Sequence, residues 1–323
     1  MTTITLPRWR QIQRSNITRH DHLIEFLKIE KSAALINPSF PLNIPLRLAQ
    51  KMPKGTLDDP LIRQFVPLIE EKHITPGFTP DPVGDRACQR TPKLLHKYNG
   101  RALLVTTSAC AMHCRYCFRQ QYPYETQIKD YIQELDIIAR DDTISEVILS
   151  GGDPLSLSDH KLQHLIDQLN QIPHIRRIRL HSRFPIGIPE RITLELLHTL
   201  TQSPKQIYFV THINHPRELD DTVLAALGRL QHIGIPVLNQ AVLLHRVNDD
   251  IDTLHQLFET LADHAILPYY LHQLDRVQGT AHFEVPTSKG LHLLNKLRTR
   301  LPGYAIPQYV QDLPGSSSKS VIL

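Results

Sequence analysis

From residue 101 onward the sequence alternates short apolar runs with amphipathic segments, and this alternation constrains the fold more than any other feature. The apolar runs suit buried strands. They are RALLVTT (101–107), SEVILS (145–150), IRRIRLHS (175–182), KQIYFVT (205–211), IPVLNQAVLL (235–244) and LPYYLHQ (267–273). The helical segments between them are YIQELDIIARD, DHKLQHLIDQLNQ, TLELLHTLTQ, DTVLAALGRLQH and DIDTLHQLFETLADH. Six strand–helix repeats predict a parallel sheet with right-handed crossovers.

Six such units are fewer than the eight that close a full barrel, so we expect an α/β fold with a partial, TIM-like (β/α)6 barrel. Residues 1–95 are predicted to form an N-terminal helical extension, because DHLIEFLKI, PLRLAQKM and DPLIRQFVPLIEEK combine helical apolar spacing with interrupting prolines. The barrel is predicted over 96–300, followed by a C-terminal segment over 301–323. Polar or glycine-rich residues follow every strand, and chemistry is expected at those strand ends.

The composition argues against several classes of protein. No run of eighteen apolar residues is present, and the first residues lack the apolar core of a secretory signal, so we expect a cytoplasmic protein with no membrane contact. The formal charge of +4 is spread along the chain, which disfavours direct nucleic-acid binding.

Three of the four cysteines lie in ACAMHCRYCFRQ (109–120), whereas Cys88 is interpreted as a spare thiol. In a reducing compartment, clustered cysteines are more typical of metal ligands than of disulfides. A structural zinc ion takes four protein ligands, and the nearby His113 points elsewhere if the cysteines converge. Three cysteines on a four-iron cubane leave one iron open to a ligand. A zinc knuckle with a distant fourth ligand, or three incidental thiols, stays open at this point.

The C-x3-C-x2-C spacing, with an aromatic residue before the last cysteine, resembles the radical S-adenosylmethionine superfamily. This resemblance implies that Cys110, Cys114 and Cys117 hold a 4Fe-4S cluster whose open iron binds S-adenosylmethionine. SGGDP (150–154) resembles the glycine-rich element of that family, and its expected cofactor-binding residues are Gly151, Gly152 and Asp153. Further contacts to S-adenosylmethionine are expected among strand-end residues, namely Arg183, His212, Asn214 and Gln240. His215 suits either a contact or a turn, because it precedes Pro216.

The chain from about residue 90 resembles the lysine 2,3-aminomutase family more specifically. The matching segments are HKYNGRALLVTTSACAMHCRYCFR, LSGGDPLSLSD, HSRFPIGIPERIT, THINHPRE, NQAVLLHRVND, PYYLHQLDRVQGTAHF and DLPGSSSK. The CRYCFRQQYPYE variant and the end after SVIL resemble the bacterial branch that forms (R)-β-lysine for modification of elongation factor P.

The resemblance implies a second cofactor, pyridoxal phosphate, held covalently by Lys319 in DLPGSSSKS. The serines at 316–318 stand where the family has glycines, so the backbone there has less freedom. By the same resemblance Arg101 pairs with the phosphate, with Tyr98 nearby. Lys97 is interpreted as a surface charge.

The substrate implied by the resemblance is L-lysine. Arg119 is expected to bind its α-carboxylate, and Asp275 and Asp312 its ε-ammonium; two carboxylates in a dry pocket repel each other unless a cation lies between them. The implied partners are elongation factor P and its lysyl-ligase, and the oligomeric state stays open, with a homodimer as one option. The alternatives are a related mutase for another amino acid or for lysine catabolism, and a non-enzymatic iron–sulfur or zinc module.

Overall fold

The computed structural model describes residues 6–30 and 38–323, and within these ranges ten strands join into one open, mixed sheet. The strands lie side by side in the order in which they occur along the chain. They are β1 (Gln89–Thr91), β2 (Leu94–Tyr98), β3 (Arg101–Thr107), β4 (Glu146–Gly151), β5 (Arg177–His181), β6 (Gln206–Thr211), β7 (Val237–Val242), β8 (Leu267–His272), β9 (Gln308–Gln311) and β10 (Ser320–Val321).

The parallel part of the sheet is the one that the sequence predicts. All six predicted strands are confirmed as β3 to β8, each starting within two residues of the expected position. Each pairs in parallel with the next strand along the chain, and the sheet does not close. The expected partial α/β barrel is therefore confirmed.

The helices lie between the strands and in the N-terminal region. They are α1 (Arg8–Arg14), α2 (His20–Leu27), α3 (Leu46–Gln50), α4 (Pro60–Phe65), α5 (Ile132–Arg140), α6 (Asp159–Asn170), α7 (Phe184–Gly187), α8 (Leu194–Thr201), α9 (Asp221–His232), α10 (Ile251–Asp263) and α11 (Thr287–Arg298). The five predicted crossover helices are confirmed as α5, α6, α8, α9 and α10. Four of them begin at a side chain that accepts a hydrogen bond from the first turn: Ser158, Thr193, Asp220 and Asp250.

The sheet extends beyond the predicted strands at both edges. Strands β1 and β2 add to β3 in antiparallel orientation, β9 adds to β8 in parallel, and β10 pairs with β9 in antiparallel orientation. Residues on both sides of the predicted boundaries at 96 and 301 thus share one sheet. The division into an extension, a barrel and a C-terminal segment stays a proposal.

The N-terminal region contains the predicted helices α2 and α3, together with α1, which was not predicted. The helix expected over 59–72 is interrupted: α4 ends at Phe65, and Val66 is extended. The cause is Pro67, because a residue before proline avoids the helical conformation. A short 3-10 turn follows at Ile69–Lys72. Residues 1–5 and 31–37 of the predicted extension lie outside the described residues.

One large apolar core joins the N-terminal helices to the barrel. Trp9 of α1 is buried, and its ring packs edge-to-face on Phe184 at 5.5 Å between centroids. The N-terminal region is therefore packed onto the strand ends of the barrel. None of the helices formed by the described residues is long and apolar enough to cross a membrane.

Candidate active site

A cavity of about 300 Å³ lies inside the open barrel and extends along the strands. This is the size of a pocket for a small molecule or cofactor. Fifteen of the sixteen predicted site residues line it: Tyr98, Arg101, Cys110, Cys114, Cys117, Arg119, Gly151, Gly152, Asp153, Arg183, His212, Gln240, Asp275, Asp312 and Lys319. The fold thus brings together residues that are separated by more than two hundred positions in the sequence.

The loop that follows β3 carries the three cysteines and is held from outside by the N-terminal region. The carbonyl of Cys110 accepts hydrogen bonds from the Asn43 and Gln13 amides at 3.2 and 3.4 Å. The Asn16 amide donates to the carbonyl of Ala111 at 2.8 Å. These side chains fix the backbone of the loop, so its thiols can face the cavity while its carbonyls face the protein.

A buried arginine fixes the other half of this loop. The Arg115 guanidinium donates to both carboxylate oxygens of Glu71 and to the carbonyls of Phe40 and Pro41. His113 stacks on Phe40 with 4.7 Å between ring centroids, and its Nδ1 lies 2.8 Å from the carbonyl oxygen of Pro41. As expected, His113 points away from the cavity, which leaves three cysteines as the thiol ligands on this wall.

The environment of Cys110 and Cys117 opposes the ionisation of their thiols in the absence of a positive partner. Burial raises the pKa of Cys110 well above its usual range, and burial with the nearby Cys114 raises the pKa of Cys117 to about 11. Arg183 Nη1 donates to Cys114 Sγ at 2.9 Å. Within the described ranges, no three His, Cys, Asp or Glu side chains are arranged for a single metal ion. Three cavity-facing thiols with few hydrogen-bond donors around them fit an iron–sulfur cluster, whose iron ions supply the positive charge.

The two glycines after β4 allow this strand to approach the cysteine loop. A Cβ on Gly152 would lie 2.4 Å from the Ala109 carbonyl oxygen, and Gly151 has φ of +115°. Both features exclude larger residues. The close approach is therefore between two backbone segments of this chain, whereas the sequence suggested an approach of backbone to cofactor.

Asp153 was predicted to bind a cofactor, but its carboxylate is occupied by the protein. It accepts hydrogen bonds from the Ser182 hydroxyl and from the backbone N–H groups of Leu155, Arg183 and Phe184, all between 2.8 and 3.0 Å. Burial nevertheless raises its pKa to about 6. Asp153 thus ties the end of β4 to the end of β5 and positions the cavity wall.

Arg183 is the centre of a buried polar network beside the cysteines. Its Nη2 donates to Gln64 Oε1 at 2.8 Å and to Glu218 Oε2 at 2.6 Å. Asn214 donates to the same Gln64 oxygen at 3.0 Å and accepts from the Val242 N–H at 2.8 Å. Asn214 does not line the cavity, because its amide joins strand ends, and its contact with S-adenosylmethionine stays a prediction.

Arg119 lies on the cavity wall two residues after the last cysteine, as expected. Its Nε donates to Asp85 Oδ2 at 2.8 Å, and both side chains are buried. Asp85 was not singled out in the sequence, because it lies in the irregular segment before β1.

Asp312 is surrounded by three donors from two segments, the end of β2 and the C-terminal segment. The Lys319 ammonium donates to its Oδ2 at 2.8 Å, and the Tyr98 hydroxyl donates to its Oδ1 at 2.8 Å. The Lys97 ammonium also contacts Oδ1 and donates to the carbonyl of Val83 at 2.7 Å. The interpretation of Lys97 as a surface charge is wrong, since only 11% of its side chain is exposed and its ammonium is paired with Asp312. Although burial raises the pKa of Asp312, the charges of the two lysines lower it to about 2.

Asp275, the second predicted partner of the substrate ammonium, lacks the donors that surround Asp312. Its Oδ1 is enclosed and has no hydrogen-bond partner among the described residues. Burial raises its pKa to about 7, against the opposing charge of Lys319. A buried carboxylate without a partner is costly, and a cationic ligand would relieve that cost.

Comparison with known proteins identifies the family. The chain matches the Radical SAM superfamily over residues 104–258. It is 41% identical to an L-lysine 2,3-aminomutase of Escherichia coli over 94% of this chain and 91% of that protein. A protein of the same name from Haemophilus influenzae is 40% identical over 87% of this chain and 84% of its own length. The chain belongs to the radical S-adenosylmethionine lysine 2,3-aminomutase family.

A solved structure agrees at the level of the fold alone. A radical SAM methyltransferase from Sphaerobacter thermophilus superposes with a TM-score of 0.50 at 16% identity, over 68% of each chain. Membership of the aminomutase family makes the chain an enzyme of the isomerase class, and it implies a 4Fe-4S cluster and S-adenosylmethionine. The three thiols on one wall of the cavity fit these groups.

In this aminomutase, several cavity residues were missed by sequence reasoning. His181 and His272 lie beside the predicted His212, and burial lowers the pKa values of all three, that of His212 to about 4. The Nε2 atoms of His181 and His272 are buried without a partner in the part of the chain that the structure describes. Both residues stand at the ends of predicted strands, where site residues were expected, so their positions in the sequence could have identified them.

At the amino-terminal end of the cavity, only Arg101 and Tyr98 were predicted. Arg179 of β5 and the adjacent Tyr269 and Tyr270 of β8 also line it. The pairing of β7 with β8 shifts register after Asn239, and this bulge explains why two consecutive tyrosines face the cavity. Arg179 is paired with the Glu146 carboxylate, so Arg101 is the guanidinium that suits an anion at this end, beside the two phenols.

Proposed function

We propose that the chain is an L-lysine 2,3-aminomutase that converts (S)-α-lysine to (R)-β-lysine and depends on pyridoxal phosphate bound at Lys319. The observation that carries the proposal is the position of Lys319: it reaches the same cavity as the three cysteines. The named aminomutase relatives support the substrate. The proposal places both cofactors in one cavity.

The cysteines would hold the cluster, and the family's chemistry defines what the bound groups supply. When bound, the cluster and S-adenosylmethionine supply a carbon radical that removes a hydrogen atom, and pyridoxal phosphate supplies a conjugated ring beside the migrating nitrogen. Arg183 and Tyr116 contact each other next to Cys114, and they shape the wall around the cluster. Gly152 keeps β4 against the cysteine loop.

Lys319 is poised for cofactor binding but is first held by Asp312. Its Nζ donates to Asp312 Oδ2 at 2.8 Å, and a lysine must be released from such a partner before its nitrogen can act as a nucleophile. Binding of pyridoxal phosphate therefore requires that this hydrogen bond opens. Lys97 and Tyr98 remain on Asp312, so the carboxylate keeps partners when Lys319 leaves.

The phosphate of this cofactor would lie at the amino-terminal end of the cavity. Arg101 lies over the ring of Tyr98, with its Cζ at 4.9 Å from the centroid, and lines the cavity beside Arg179. Arginine is suited to a phosphate because its fork makes two parallel hydrogen bonds. The Tyr98 hydroxyl donates to Asp312, so Tyr98 would act here through its ring.

The substrate would be held by its charges at both ends. Arg119 would bind the α-carboxylate. Asp275 would bind the ε-ammonium with its unpartnered oxygen, and Asp312 would share that cation once Lys319 has left. An acidic side chain in place of the ammonium would be repelled by these carboxylates, which favours lysine over glutamate.

The use of the product extends this proposal. We infer from the resemblance to the elongation factor P branch that L-lysine is the substrate, and that a lysyl-ligase attaches the β-lysine to this factor in the cytoplasm. Identity of 41% to the E. coli relative over most of both chains supports this placement. Analytical ultracentrifugation would determine whether the enzyme is a homodimer.

Two measurements test the proposal. Anaerobically reconstituted enzyme is incubated with labelled L-lysine, S-adenosylmethionine and dithionite, and chiral chromatography should show (R)-β-lysine. Borohydride reduction with peptide mapping should then find the pyridoxyl group on Lys319, and the Lys319→Ala variant should lose it. Lys97→Ala is the matched control, because Lys97 is the other lysine on the cavity wall. An adduct that persists in Lys319→Ala, or a colourless protein without iron, would refute the assignment.

A further inference from the structure

The cavity wall that would receive the substrate carboxylate contains a buried ion pair whose acidic member has no assigned role. Arg119 Nε donates to Asp85 Oδ2 at 2.8 Å, and less than a tenth of either side chain is exposed. Asp85 itself lines the cavity. The pair therefore belongs to the wall, and its geometry decides which atoms of Arg119 face a ligand.

The hydrogen bond from Nε leaves the outer edge of the guanidinium unused. Arginine carries five N–H donors in a planar fork, of which one lies on Nε and four on the Nη atoms. Among the described residues, no hydrogen bond engages Nη1 or Nη2 of Arg119. The two Nη atoms form the edge that can bind both oxygens of a carboxylate in parallel. Phe118 stacks near the guanidinium, with 4.8 Å from Cζ to its ring centroid, and limits its rotation.

Asp85 can act in this way because its own position is fixed. The Asp81 carboxylate accepts hydrogen bonds from the backbone N–H groups of Asp85 and Arg86 at 2.9 and 3.1 Å. Gly84 has φ of +70° and packs against Pro314, where an added Cβ would meet the Pro314 Cβ at 3.3 Å. The loop that carries Asp85 is thus held both by its own cap and by the C-terminal segment.

We propose that Asp85 is a positioning residue: by binding Nε of Arg119 it directs the Nη1–Nη2 edge toward the α-carboxylate of the substrate. This inference rests on the proposed role of Arg119 in substrate binding. It assigns to Asp85 a share in selecting substrates that carry a carboxylate at this end. A free guanidinium would adopt several orientations, and only one of them offers two parallel donors.

The test compares L-lysine with L-lysinamide, which lacks the carboxylate charge. Binding of each compound to the reconstituted enzyme is measured by equilibrium dialysis without reductant, so that no turnover occurs. The wild type should prefer lysine. Asp85→Ala should bind lysine about 10- to 100-fold more weakly, the range expected from loss of a charged hydrogen bond, and should bind lysinamide as before. Asp85→Asn keeps an oxygen that accepts from Nε and should retain most of the preference.

Controls separate positioning from general damage. Asp159→Ala removes the carboxylate partner of Arg191, a buried arginine paired at 2.7 Å outside the cavity wall, and should leave the preference intact. Iron content and circular dichroism confirm folding, and Asp85→Ser, whose hydroxyl is too short to reach Nε, replaces the alanine variant if that variant does not fold.

The outcomes distinguish this inference from the function on which it rests. If Arg119→Gln loses the preference for lysine while Asp85→Ala keeps it, Asp85 does not position Arg119 and the inference is overturned. Equal losses in Asp85→Ala and Asp85→Asn would also overturn it, because charge and not hydrogen-bond direction would then be the cause. If Arg119→Gln keeps the preference, the proposed role of Arg119 itself is refuted.

Discussion

Replacing Asp275 by asparagine is expected to stabilise the ligand-free protein at pH 8 and not at pH 5. Burial raises the pKa of Asp275 from 3.8 to about 7, so the folded state binds one more proton than the unfolded state between these values. Stability therefore falls as the pH rises from about 4 to about 7. Above pH 7 the folded protein contains an ionised carboxylate with an unpartnered oxygen.

The size of the effect follows from the shift. A change from 3.8 to about 7 corresponds to about 4 kcal/mol at about 1.4 kcal/mol per pKa unit. Asparagine avoids this cost but buries an amide with too few partners, which costs about 1–3 kcal/mol. The net expectation is a stabilisation of about 1–3 kcal/mol at pH 8. At pH 5 the native carboxyl is neutral, and only the part of the cost between 3.8 and 5, about 2 kcal/mol, remains. The cost of the buried amide offsets this remainder, so the advantage should vanish.

Urea unfolding of the cofactor-free protein under reducing conditions at pH 5 and pH 8 measures this difference. Asp312→Asn is the matched control, because the lysines lower the pKa of Asp312 to about 2 and it is ionised at both pH values. Its loss should destabilise the protein by about 2 kcal/mol at either pH, since its contribution disappears only as the pH falls through about 2. A stabilisation by Asp275→Asn that is the same at pH 5 and pH 8 would refute the argument. Asp275→Asn should also bind lysine poorly.

Two further predictions concern the cysteine loop. Gly152→Ala should lower the bound iron by at least half after reconstitution, because the new Cβ would lie 2.4 Å from the Ala109 carbonyl oxygen. The control Gly228→Ala meets only a side-chain atom at 3.9 Å and should retain full iron. Equal iron content in the two variants would contradict this prediction. Glu71→Gln leaves the buried Arg115 without its charge partner and should cost about 3–5 kcal/mol in urea unfolding. A loss below 1 kcal/mol would show that the carbonyl contacts of Arg115 suffice.

Much of the fold was predictable because its signal is local. Most of the strands β3 to β8 are short, largely apolar segments, and β5 is recognisable because buried Ile178 and Leu180 alternate with more exposed residues. The edge strands were missed because they are short and polar. Strand β10 contains only Ser320–Val321, and its conformation depends on pairing with Val310 and Gln311. Such pairing is a property of the assembled sheet and leaves no pattern in the segment itself.

The site was predictable to the extent that motifs follow strands. The cysteines, Arg119 and Lys319 reach one cavity, as the resemblance implied. The partners of these residues were not predictable, because they come from distant loops without periodicity: Asp85 binds Arg119, and Gln64 binds Arg183. Tyr269 and Tyr270 show another limit of prediction from sequence. Alternation places consecutive strand residues on opposite faces of the sheet, but the register shift between β7 and β8 turns both tyrosines toward the cavity.

The shortness of β10 has a practical consequence for work on this enzyme. Lys319 directly precedes this strand, which is attached to the edge of the sheet by two residue pairs, and Leu323 beyond it is almost fully exposed. An affinity tag or fusion partner placed after Leu323 would disturb the segment that carries Lys319, the residue proposed to bind pyridoxal phosphate. Recombinant protein intended for cofactor titration is better tagged ahead of α1, where the first helix is anchored through Trp9.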